Sequence, residues 1–141
     1  MLKRVLVPAL ALLGLAGPAN AEIETLSALE AHAAAQSGQI TLIDIRTETE
    51  WAMTGLPQGA HQADMQQPDF VDQVLGAVAW DFDAPIALIG RAGNRSLQAA
   101  QDLAESGFTN IADVSEGIAG KENTGPGWLA QDLPMAAYQA D

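Results

Sequence analysis

IALIGRAGNRS (residues 86–96) sets four strand-forming apolar residues directly against a loop of two glycines, two arginines and an asparagine. RSLQAAQDLAESG (95–107) then reads as an amphipathic helix, with Leu97, Ala100 and Leu103 on one side and Gly107 as its stop. Strand, tight polar loop and helix is an arrangement that points backbone N–H groups at an anion. Gly90 and Gly93 permit unusual dihedrals, so that successive N–H groups can converge as a nest. Known phosphate and nucleophile signatures fail on spacing. The nucleotide P-loop needs four residues between its glycines and then a lysine, whereas GRAGNRS has two and no lysine. G-x-G-x-x-G and G-x-S-x-G are absent. Ser96 has no base assigned to it, and a serine at a helix start is usually a cap.

The segments around this unit repeat its logic. Residues 22–25 suit a short opening strand, and Ser27 with Glu30 three residues on predicts a capped helix ending near Ser37-Gly38. ITLIDI (40–45) is apolar and β-branched, the pattern of a buried parallel strand. Arg46 ends it, and Thr47 or Thr49 can cap a short helix around Glu50-Trp51-Ala52. A weak strand is expected near 60–63, a helix from Pro68-Asp69 through FVDQVLGAV, and a third clear strand at NIADV (110–114). A glycine-rich stretch from Ser115 to Pro134 carries Trp128. Strands alternating with helices through short loops predict one α/β domain with a parallel sheet, whose ligands sit at the carboxyl ends of the strands. Arg46 and the Gly90 loop both lie at such ends.

Composition narrows the function classes. Of 141 residues, 48% are hydrophobic and 17% charged, which suits a globular chain. Lys3-Arg4, the apolar run VLVPALALLGLAG (5–17) and the small residues Ala19 and Ala21 form a secretory leader, predicted to be cleaved after Ala21. Residues 1–21 are thus expected to be lost and 22–141 to form the domain, periplasmic or secreted and free of the membrane. That mature chain has four basic residues against 18 acidic ones, a net charge of −14. Such a surface repels nucleic acid and anionic lipid. Arg91 and Arg95, half of the remaining positive charges, stand together in the loop and reverse the sign locally. With no cysteine and only His32 and His61, the sequence offers no disulfide, persulfide, thiolate metal site or histidine-rich metal site. No metal or cofactor is expected.

The order TLIDIRTETEW, GLPQGA, PIALIGRAGNRSLQAAQDLAESGFTNIADVSEGIAG and DLPM strongly resembles a rhodanese-like domain across nearly all of residues 22–141. The resemblance implies a central, mainly parallel five-stranded sheet flanked by helices. It also implies a loop that begins with a cysteine, which carries sulfane sulfur as a persulfide. That position is Gly90 here, while Arg91, Ala92, Gly93, Asn94, Arg95 and Ser96 continue the loop pattern. Asp44 and Arg46 match the family's strand-end pair, which the resemblance casts as a buttress of the loop. Two departures touch the rim. One residue is inserted in the turn Gly55-Leu56-Pro57-Gln58-Gly59-Ala60, and Lys121 stands where a tryptophan is usual, Trp128 following after KENTGPG.

Three readings follow. In the first, the domain is a non-catalytic module, monomeric, whose loop Gly90 to Ser96 binds a small oxyanion (thiosulfate, sulfate or phosphate) or an exported partner protein. In the second, it is a thiosulfate sulfurtransferase by family membership; glycine at position 90 speaks against that. In the third, the loop is purely structural, with Arg91 and Arg95 paired to carboxylates such as Asp44.

Overall fold

The computed structural model describes residues 22–140; the predicted leader, residues 1–21, lies outside them. β1 (Ile23–Leu26) leads to α1 (Ala28–Gln36), which opens with the expected capping box: Ser27 Oγ accepts from Glu30 N–H, and Glu30 Oε1 accepts from Ser27 N–H. β2 (Thr41–Asp44) is followed by α2 (Glu48–Thr54), and the same reciprocal cap joins Thr47 and Glu50. Then come β3 (Leu56–Pro57), β4 (His61–Gln62), α3 (Phe70–Ala77), β5 (Ile86–Ile89), α4 (Asn94–Glu105), β6 (Ile111–Val114), α5 (Gly127–Ala130) and β7 (Met135–Ala136).

Five strands form one sheet in the order β1-β6-β5-β2-β4, and every pairing within it is parallel. β3 and β7 pair antiparallel as a separate two-stranded ribbon. Alternation along the central strands builds two cores. Ile43, Ile86 and Leu88 face Val74, Leu103 and Phe108 on the α3/α4 side. Leu42, Ala87 and Ile89 face Ala28, Ala31 and Trp128 on the α1/α5 side. Side chains at i and i+1 of a strand point to opposite faces, so these runs are apolar throughout because both faces are covered. The result is a three-layer α/β domain. Among the described residues, no helix is long and apolar enough to cross a membrane.

Register sets the functional edge. Asp44 is paired with Ile89, and Leu88 with Asp113, so β2, β5 and β6 all end at the same side of the sheet. Arg46, the Gly90 loop and Ser115 therefore emerge beside one another.

One helical face differs from expectation. In α4 the buried residues are Ser96, Ala99, Ala100, Leu103 and Ala104, whereas Leu97 is 44% exposed. The i, i+3, i+4, i+7, i+8 stripe runs through Ser96 because its hydroxyl finds polar partners inside, which lets a polar residue take the position assigned to leucine. Thermal denaturation should accordingly show Leu97→Gln within about 0.5 kcal/mol of the parent. Leu103→Ala, at a site with no exposure, should lose about 2–5 kcal/mol.

Candidate functional site

The loop between β5 and α4 is shaped by backbone meeting backbone. Gly93 has φ +100°, and a Cβ there would run into the carbonyl oxygen of Ser115. Gly117 (φ +69°) lies as tightly against the carbonyl of Arg91. Hydrogen bonds lock this contact: Ile118 N–H donates to Gly90 O (2.9 Å) and Ala119 N–H to Arg91 O (2.8 Å). The loop's first carbonyls are thereby taken. Its N–H groups are not: among the described residues, none of the backbone N–H groups from Arg91 to Ser96 has a hydrogen-bond acceptor. Leu97 N–H, bonded to Gly93 O, is the first to be satisfied. These N–H groups at the start of a twelve-residue helix form a cradle of positive partial charge.

Gly90 stands at the root of that cradle. Its φ is outside the left-handed region, so nothing in the backbone demands glycine. A Cβ built there lies 3.6 Å from Ser96 N and 3.2 Å from Ile45 Cδ1, the movable end of a side chain. A side chain at this position would point toward the Ser96 N–H. The space is left open by choice of residue, not by geometry.

The loop's side chains have diverged in role. Arg95 is bidentate to Glu50, with Nη1–Oε1 at 2.9 Å and Nη2–Oε2 at 2.7 Å. This guanidinium hydrogen bond, against the opposing effect of burial, lowers the Glu50 carboxyl to about 2. Asn94 Oδ1 accepts from Lys121 Nζ (2.7 Å), which ties Lys121 to the helix start. Arg91 is exposed, and its guanidinium has no hydrogen-bond or ion-pair partner among the described residues.

Asp44 and Arg46 are both buried, and Arg46 Nε and Nη2 grip the Asp44 carboxylate. Arg46 also donates to Thr54 Oγ1 (3.0 Å) and Gly55 O (2.9 Å). The pair thus fastens the end of β2 to the turn between α2 and β3. No hydrogen bond joins either side chain to the loop; the link is through backbone, Ile45 N–H donating to Ile89 O at 3.0 Å. Nor does Arg95 reach Asp44 as an ion pair, because Glu50 meets both of its fork nitrogens first. Arg46, Glu50 and Arg91 line one depression of about 120 Å³.

Ser96 is fully buried, and its hydroxyl lies within reach of Gly93 O (3.0 Å) and of Asp113 Oδ1. One hydroxyl proton cannot serve two acceptors. The Ser96 hydroxyl, donor to either oxygen, is thus shared between Gly93 O and Asp113 Oδ1. Burial pushes the Asp113 carboxyl up, with the Ser96 hydrogen bond opposing. Glu50, Asp113 and Lys121 complete the site although the loop motif does not contain them. Asp113 carried a signal, being the one acid in an otherwise apolar strand, NIADV.

A family model described as a rhodanese-like domain matches residues 27–123. An uncharacterised protein of Rickettsia prowazekii is 30% identical over 99 residues, 66% of this chain and 80% of that protein. Its homolog in Rickettsia rickettsii is 31% identical over the same shares. Among solved structures, the polysulfide-sulfur transferase homodimer of Wolinella succinogenes shares the fold, with a TM-score of 0.62 and 24% identity over 82% of this chain and 80% of that one. The M. tuberculosis protein Rv0390 gives a TM-score of 0.63 and 25% identity over 82% and 98%.

Three variants test this geometry. Gly90→Ala should change unfolding free energy by about 1 kcal/mol at most, because only the Ile45 methyl must yield. Gly93→Ala should cost about 2–5 kcal/mol, since both its φ and the Ser115 carbonyl oppose a side chain. Asp113→Asn should stabilise at neutral pH by about 1 kcal/mol, replacing a carboxylate whose charged form burial disfavours with a neutral amide. A raised carboxyl favours the folded state at low pH and loses that contribution as pH rises through its folded value. The variant's advantage should therefore vanish below the ordinary carboxyl value of 3.8 and grow on going up through Asp113's raised one.

Proposed function

The chain belongs to the rhodanese-like domain family, and from that premise we propose that it is a non-catalytic member whose loop Gly90 to Ser96 binds a small oxyanion. The reading rests on one observation above others: the loop's N–H groups have no acceptor among the described residues, and position 90 carries no nucleophile. In the persulfide route a thiolate takes sulfane sulfur and hands it on. The chain has no cysteine, so that route has no acceptor atom here. The N–H cradle would accept the oxygens of thiosulfate, sulfate or phosphate, and Arg91 would supply the charge. We further propose that the protein works outside the cytoplasm, delivered by the leader in residues 1–21.

The Arg95–Glu50 fork favours a second reading for part of the loop. A guanidinium held at both nitrogens serves the fold, so Arg95 contributes neither contact nor net charge to a ligand. Arg91 decides between the two readings.

Thermal unfolding with 10 mM thiosulfate, sulfate or phosphate provides the test. A ligand with Kd near 1 mM stabilises by about 1.4 kcal/mol and raises Tm by roughly 4 °C. Arg91→Ala should lose most of that rise. No shift with any anion, or one indifferent to Arg91→Ala, would support a purely structural loop. Thiosulfate:cyanide sulfur transfer should be absent from the parent protein and measurable in Gly90→Cys, whose side chain the cradle can seat. Turnover by the parent would overturn the non-catalytic reading.

A further inference from the structure

The depression beside Arg91 is too small for a drug-sized molecule, and its walls differ from a bare sulfate site. Its volume of about 120 Å³ equals roughly four water molecules' share of liquid, against the ~300 Å³ or more of an ordinary ligand pocket. Met53, Ile118, Ala119 and Leu129 form most of its surface, and Met53 (78% exposed) and Leu129 (43%) stand open to solvent. Ile118 and Ala119 are the residues whose N–H groups hold the loop carbonyls, so this apolar wall is fixed to the loop itself.

Charge within the depression is almost closed. Arg46 is neutralised by Asp44, and Glu50 by Arg95. Glu50, held at about 2, stays ionised and keeps that pair intact at neutral pH. Arg91 is the one charge of the lining without a counter-ion among the described residues.

We propose that the ligand is an organic monoanion whose oxyanion head meets Arg91 and whose short, unbranched apolar tail, about four carbons, lies along Met53, Ile118 and Leu129. The proposal rests on the anion-binding reading above and adds the tail. One positive charge without a partner matches one negative charge, and an inorganic dianion would leave the apolar wall wet. Two exposed apolar side chains at the mouth of a cavity lose little by being covered and gain when they are.

Isothermal titration with butanesulfonate, methanesulfonate and sulfate separates the two claims. Each buried methylene is worth about fourfold in affinity, equivalent to ~0.8 kcal/mol. Three extra methylenes against a partly open wall should make butanesulfonate about tenfold tighter than methanesulfonate. The double variant Met53→Ser/Leu129→Ser should bring that ratio close to one, and Arg91→Ala should weaken both sulfonates. A ratio below fivefold in the parent, or one that survives the double variant, overturns the tail while leaving the anion site standing. Binding by none of the three overturns both.

Discussion

The close approach of two loops at the carboxyl edge of the sheet governs everything else in this domain. Gly93 lies on the Ser115 carbonyl and Gly117 on that of Arg91, with no room for a side chain at either contact. That contact fixes where α4 begins, and so where its unsatisfied N–H groups face. Because the constraint is made of backbone, the cradle does not depend on what stands at position 90. Glycine at that position leaves the backbone arrangement of the loop in place.

Electrostatics then discriminates among three arginines that look alike in sequence. Arg46 is buried against Asp44 and braces a turn; Arg95 is forked onto Glu50; Arg91 alone keeps its charge available. In a chain with net charge −12, an uncompensated cation such as Arg91 is conspicuous to an approaching anion only at short range. Beyond a Debye length of about 8 Å at physiological salt, the acidic surface is screened and so is Arg91. The field of Arg91 is thus local, felt at contact distance and not as long-range steering.

Much of the frame could be read without coordinates. The Ser27–Glu30 capping box announces its helix start because its chemistry is contained within four residues, whereas Thr47 and Thr49 stand as equal candidates in the sequence until the Thr47–Glu50 contact chooses between them. The β-branched runs around Ile43 and Leu88 announced buried strands because both sheet faces are covered. Features made by tertiary contact were not legible. Glu50 and Arg95 are 45 residues apart, and Ser96 meets Asp113 across 17. Periodicity alone turns Leu97 inward, because it gives the width of a helical stripe better than its phase; the partner that draws Ser96 inside lies on another strand. β3 and β7, two residues each, are too short for any period to show. The directions of the Arg46 fork likewise depend on a turn that the strand-end motif does not describe.

The absence of sulfur from the loop has a consequence for chemical durability. A persulfide site lives by a thiolate and is silenced when oxidants carry that sulfur up its ladder to sulfinic or sulfonic acid. Peptide N–H groups and a guanidinium offer nothing comparable to oxidise. The one sulfur among the residues lining the depression is the thioether of Met53, on the rim. Its oxidation to the sulfoxide turns an apolar wall polar and is reversible by reductases. The domain thus keeps its cradle under oxidising conditions, and whatever redox sensitivity remains is displaced from the centre of the site to its edge.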